Sequence, residues 1–116
     1  MAAPGNFDVI VEREGSTLLV SPRGEIDLAT IGLVREAVDR DHAAGTALVL
    51  DLRGVGFMDS SGLHYVLELN DRAAKEGFAV KIVRGPGAVQ RVFAVSGVEA
   101  RLPFVDEPSQ DPGAGA

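Results

Sequence analysis

Ala47-Leu48-Val49-Leu50-Asp51-Leu52, then Arg53-Gly54-Val55-Gly56-Phe57-Met58-Asp59-Ser60, then Ser61-Gly62-Leu63 and on to Glu76: the fold class is read from this run. The first six residues are short and almost wholly apolar, the pattern of a central strand covered on both faces. From Ser61 to about Glu76 the apolar residues return at helical period, with Leu63, Val66, Leu67, Asn70 and Ala74 on one face and Gly77 closing the helix. The stretch from Arg53 to Ser60 reads as the loop between them. A buried strand that feeds through a loop into a helix is half of a crossover, and crossovers join parallel strands.

Working outward, Phe7 to Arg13 alternates apolar and polar residues, a strand signal. Glu14-Gly15 turns the chain into a second strand, Ser16 to Gly24, around Leu18-Leu19-Val20. From Leu28 to about Asp41, Ile31, Val34 and Val38 recur near helical spacing, with Asp27 at the N-cap and Gly45 at the positive-φ C-terminal position. Phe78 to Val83 reads as a strand. Pro86 suits the first turn of a third helix, Val89, Val92 and Phe93 its inner face, and Gly97 its end. Leu102-Pro103-Phe104-Val105 fits an edge strand, because Pro103 cannot donate to a ladder. The order is β-β-α-β-α-β-α, with a final β at Leu102–Val105: one α/β domain over residues 1–105 with a mixed, largely parallel sheet. Residues 106–116 are Pro, Gly, Ala and acid, and read as a disordered tail.

Composition narrows the function classes. With 46% apolar residues among 116, one domain can build its core without metal or disulfide support. The absence of Cys removes any thiolate ligand or Cys nucleophile and suits a reducing cytoplasm. Eleven Lys and Arg against 17 Asp and Glu leave a net charge of −6, which argues against nucleic acid as the partner. Apolar runs are strand-sized, so no membrane span and no secretory leader are expected. Lys81, Arg84 and Arg91 tint the late segment basic, as a solvated face does.

Three loops leave strands and open helices: Gly24–Asp27, Arg53–Ser60 and Arg84–Pro86. In open α/β sheets such loops gather at the carboxyl edge, where sites form. They nominate Asp27, the Asp59-Ser60-Ser61 corner and Gly85 as neighbours. At a helix start, unpaired N–H groups and the positive dipole end favour negative charge. Asp59 or Ser60 can cap the helix, leaving the next serine in the first turn with a free hydroxyl. Gly62 removes a side chain beside that hydroxyl, so that a partner could come close. A phosphate there would add ~1.5 to 2 negative charges and three acceptor oxygens. Capping is nevertheless the commonest task of such residues, and the residues alone leave both uses open. A hydrolase is poorly served. Gly-x-Ser-x-Gly is missing, and His64 lies on the same helix as both serines. No phosphate-cradling glycine loop, metal cluster or cofactor motif is apparent.

Gly24-Glu25-Ile26-Asp27, Val49-Leu50-Asp51-Leu52 and Val55-Gly56-Phe57-Met58-Asp59-Ser60-Ser61-Gly62-Leu63, with Val92-Phe93 and Ser96-Gly97 further on, resemble the STAS domain of anti-sigma-factor antagonists. The likeness runs from about residue 7 to 105 and is strongest to the stand-alone bacterial anti-anti-sigma factors. It implies a cytoplasmic, non-enzymatic, partner-switching phosphoprotein. The unphosphorylated form would bind an anti-sigma factor, a serine kinase with a histidine-kinase-like ATPase fold, and so free a sigma factor. Phosphorylation of the serine before the glycine, here Ser61, would end that contact, and a PP2C-type phosphatase would restore it. Ser60 is a competing acceptor. By the same resemblance Asp27 and Asp59 surround the phosphosite with Ser60 and Gly62. His64 and Tyr65 follow where relatives often have a small residue, and are expected on the exposed side of the helix start as partner contacts. Phe57 and Met58, apolar residues in a loop before a helix, are expected to plug the core, with an exposed partner patch as the other reading. The alternative within the family is an accessory subunit of a lipid-transport or stress-sensing complex that lacks the phosphoserine switch.

Overall fold

The β-hairpin at the amino end forms as its alternation predicts. In the computed structural model, which describes residues 6–111, β1 (Asp8–Glu14) and β2 (Thr17–Ile26) pair antiparallel from Asp8↔Arg23 to Glu14↔Thr17. Gly15 takes the turn at φ +59°. The chain then runs through α1 (Ile31–Asp41), β3 (Ala47–Asp51), β4 (Val55–Met58), α2 (Ser60–Glu76), β5 (Val80–Val83), α3 (Gly87–Val95), a 3₁₀ turn (Glu99–Arg101) and β6 (Phe104–Val105). The sheet order is β1-β2-β3-β5-β6, parallel except for the hairpin. Over the described residues the protein is a single α/β domain with a mixed, mostly parallel sheet and three helices, as expected.

One strand was not legible in the sequence. The supposed loop Arg53–Ser60 contains β4, which pairs parallel with the far end of β2 through Gly24↔Val55, Glu25↔Phe57 and Ile26↔Met58, with an irregularity between Gly24 and Glu25. β2 therefore forks: its first residues pair with β3 (Thr17↔Ala47 to Val20↔Leu50), its last with β4. The fork explains why β2 runs two residues beyond Gly24.

All three helices lie on one face of the sheet. Leu18, Val20, Leu48, Leu50, Leu52 and Ile82 meet Val34 and Val38 of α1, Leu63, Val66 and Leu69 of α2, and Val89 and Phe93 of α3 in one buried cluster. Alternate strand residues Val49, Val83 and Val105, with Leu19 beside them, form a smaller cluster on the opposite face. Residues 106–111, expected to be disordered, instead turn back along that second face. Lys81 Nζ donates to the Gln110 carbonyl at 2.8 Å, Arg84 pairs with Asp106 at 2.7 Å, and Gln110 accepts from the Asp106 N–H at 2.7 Å. Glu107, Pro108 and Ser109 line a cleft there with Leu19, Val49, Arg53 and Lys81. Residues 112–116 of the expected tail lie outside the described residues.

Helix ends follow local chemistry. Gly77 closes α2 at φ +77° and donates to Ala73, as its position predicts. α1 starts later than expected, at Ile31, and ends at Asp41 with His42 as its C-cap. Gly45 does have positive φ (+81°), but in the turn beyond that cap. Pro86 is the N-cap of α3 rather than a first-turn residue.

Candidate functional site

Two paired strand ends build the site. Ile26 and Met58 are register partners at the ends of β2 and β4, and both are buried at 2% exposure. The next residue on each strand is an aspartate, so the pairing brings Asp27 and Asp59 side by side at the carboxyl edge. The Asp59 N–H donates to the Ile26 carbonyl at 3.1 Å and locks the two ends together.

Asp59 is the N-cap of α2. Its backbone is extended, and its Oδ1 accepts from the Ser61 N–H at 2.8 Å. Its carbonyl accepts from Gly62 N–H at 3.1 Å. Asp27 does the same work one loop away. Its Oδ1 accepts from the N–H groups of Ala29 (2.9 Å) and Thr30 (3.1 Å), while the Thr30 hydroxyl bonds to the Asp27 N–H and, at 2.8 Å, to the Glu25 carbonyl. The side chain expected to cap α1 thus caps an irregular turn over residues 28–30, and the regular helix follows it. Thr30, buried at 3%, is the positioning residue that sequence reasoning missed; the Asp-x-x-Thr spacing was its available signal.

Ser60 is exposed and Ser61 half-buried, both in the first turn of α2. Among the described residues neither hydroxyl is tied up in a hydrogen bond to the protein. Asp59 thus holds the Ser61 backbone through its amide and leaves the hydroxyl out of that contact.

Gly62 has a different reason from the one expected. It does not clear space beside the hydroxyl but faces inward, and a Cβ there would lie 2.4 Å from Met58 Cγ and 2.9 Å from Ile26 Cγ2. Only glycine lets the start of α2 settle onto the two strand ends. Gly85 is similarly tight, against the Leu52 carbonyl at 2.9 Å and Val89, and its N–H donates to Gln90 Oε1. These contacts fit the start of α3 against the segment that links β3 to β4.

His64 is exposed, as expected for a contact residue. Tyr65 is not: it is buried at 2% exposure beneath Arg35, whose guanidinium lies 4.8 Å from the ring centroid. The buried arc of α2 is rotated from the expected stripe, running through Gly62, Leu63, Tyr65, Val66, Leu69 and Ala73. The helix packs against α1 as well as the sheet, and Tyr65 faces α1. Burial pushes its phenol well above the usual range, so it stays protonated. Its hydroxyl is buried and, among the described residues, has no hydrogen-bond partner. Tyr65→Phe is therefore expected to keep the ring packing and raise stability by up to about 1 kcal/mol, measured by urea denaturation; a clear loss would show that the hydroxyl has a bound partner.

Phe57 and Met58 divide the expectation placed on them. Met58 enters the core, whereas Phe57 is 49% exposed; Leu28, just past Asp27, is 81% exposed.

The fold is thus a mixed α/β domain in which two locked strand ends carry Asp27 and Asp59 next to the first turn of α2. The sequence model of the STAS domain family matches residues 8–109, and the chain belongs to that family. It is 33% identical over 86 residues to the anti-sigma-F factor antagonist RsfB of Mycobacterium tuberculosis, spanning 73% of this chain and 70% of that protein. It is 30% identical over 105 residues to an anti-sigma F factor antagonist of Paenibacillus polymyxa, spanning 87% and 88%. A crystal structure of an anti-sigma factor antagonist from Mycobacterium paratuberculosis matches with a TM-score of 0.79 at 28% identity, covering 93% of this chain and 92% of that one.

Proposed function

We propose that this protein is an anti-sigma-factor antagonist whose state is written on Ser61. Unphosphorylated, it binds a kinase-type anti-sigma factor and so releases a sigma factor. The kinase transfers the γ-phosphoryl group of ATP to Ser61 Oγ, leaving ADP, and the hydroxyl proton passes to a base on the kinase. The modified protein lets go, and a PP2C-type phosphatase returns it to the binding form. It is a substrate and a binding module of the cytoplasm, not an enzyme.

The observation that carries this reading is the serine corner: Asp59 fixes the Ser61 amide while leaving the hydroxyl free. The named relatives, themselves anti-sigma factor antagonists, support it. Ser60 is the more exposed of the pair, but Ser61 is the one whose backbone the cap holds directly. The test is to incubate the protein with the kinase-type anti-sigma factor of its own organism and ATP, then map phosphate by mass spectrometry. Modification at Ser61 is expected; phosphate on neither serine of the pair sinks the proposal.

Ser61→Asp is expected to change folding stability by less than about 1 kcal/mol. A negative charge in the first turn gains about 0.3–1 kcal/mol from the helix dipole, and repulsion from Asp59 and Asp27 offsets it. The same variant should lose binding to the anti-sigma factor while Ser61→Ala retains it. A thermal melt and a titration of each variant check the two halves separately.

A further inference from the structure

Among the described residues, three large apolar side chains stand exposed: Leu28, Phe57 and Val95. Single exposed apolar residues are ordinary. Two of these three, however, border the serine corner, Leu28 in the turn just past the end of β2 and Phe57 in β4. Leu28 follows Asp27, and Phe57 immediately precedes Met58-Asp59. Val95 belongs to the last turn of α3, a helix that starts at the carboxyl edge and runs away from it over nine residues, about 13 Å.

We propose that Leu28 and Phe57 are the apolar anchors by which the anti-sigma factor grips this protein, and that they make the contact intolerant of a phosphate on Ser61. The inference rests on the antagonist reading above. Both anchors project from backbone that is already immobilised. The Leu28 turn is held by Asp27 Oδ1 and by Thr30 bonded to the Glu25 carbonyl; Phe57 sits between buried Met58 and its register partner Glu25. Side chains carried on fixed backbone lose little further freedom on binding, which favours them as anchors. Beside Phe57, Gly56 is exposed with open space around it, so a partner surface can reach the ring. The complementary surface is an apolar hollow.

This arrangement also accounts for the sign of the switch. A contact closed over Leu28 and Phe57 expels water from the corner they border. There Asp27, Asp59 and a phosphorylated Ser61 would crowd three negative groups together. Their repulsion is modest in water and grows as the local dielectric falls, and the phosphate must shed its hydration as well. The complex is therefore weakened more than the free protein, which keeps its fold and only loses its partner.

The experiment measures affinity for the kinase-type anti-sigma factor identified by the phosphate mapping, using the full chain. Leu28→Ala and Phe57→Ala are each expected to weaken binding about tenfold, equivalent to about 1.4 kcal/mol, and the double variant about a hundredfold. Phe57→Leu should recover most of the Phe57→Ala loss. Val95→Ala, away from the corner, should bind within about twofold of wild type. Melts of all these variants should match wild type closely, because the replaced side chains are exposed; a variant that melts early is replaced by Leu28→Ser or Phe57→Ser and remeasured. If wild type binds and both alanine variants bind within about twofold of it, the anchors are overturned while the antagonist reading stands. If wild type itself does not bind, the antagonist reading fails and the anchors with it.

Discussion

Phe93→Ala is expected to destabilise the protein by about 3–5 kcal/mol, the range for removing a fully buried aromatic and leaving a cavity. Phe93 has no exposed surface and lies edge-on to Phe104, with ring centroids 4.9 Å apart. It packs α3 against Phe104 of the short edge strand β6, which is itself paired with β5 through Ile82↔Phe104 and Val83↔Val105. Against a total stability of about 5–15 kcal/mol for a domain of this kind, the loss should move the urea midpoint by a large fraction of its value. A loss below about 1 kcal/mol would mean that α3 can collapse into the space, and that its docking is looser than the packing indicates.

Gly62→Val is the second large effect, of about 3 kcal/mol, in the upper part of the overpacking range. The added carbons would overlap Met58 Cγ and Sδ and Ile26 Cγ2, all buried, and neither neighbour has a surface to retreat to. The strand ends would be forced apart, and with them Asp27 and Asp59, so binding should fall as well. Gly32 supplies the contrast. It lies in α1, a Cβ added to it would meet nothing within 4 Å, and its φ is not positive. Gly32→Ala should therefore add about 0.5–1 kcal/mol through helix propensity. Two glycines in helices, changed in the same direction chemically, should move the melt in opposite directions; parallel shifts would refute the packing argument at Gly62.

Much of this architecture was legible because hydrophobic period and turn residues agreed. The hairpin, the three helices and the strand Ala47–Asp51 all follow from them. β4 was not legible for a physical reason. Val55-Gly56-Phe57-Met58 is four residues long, carries a glycine inside, and shows both Gly56 and Phe57 to solvent, so no alternation survives. It is a strand only because the end of β2 is there to pair with it. Tyr65 was misplaced by a related effect. A single helix stripe assumes one neighbour, and α2 has two. The serine corner itself was legible as a cap and a candidate acceptor, but not what Gly62 is for, since its neighbour Ile26 is 36 positions away in the chain.

The fork in β2 carries a consequence for how the site opens. β4 is tied to the sheet by only three register pairs, all to the end of β2. Val55 and Met58 hold it in the core, so its openings are rare, but they need not disturb the β2–β3–β5 ladder. In hydrogen–deuterium exchange, the Asp59 amide bonded to Ile26 should exchange well before that of Leu48, which bonds to Ala79 in the central sheet. Each such excursion separates Asp27 from Asp59 and unseats Ser61. A partner that clamps the corner would suppress the fluctuation, and the slowed Asp59 amide would report occupancy of the site without any label on either protein.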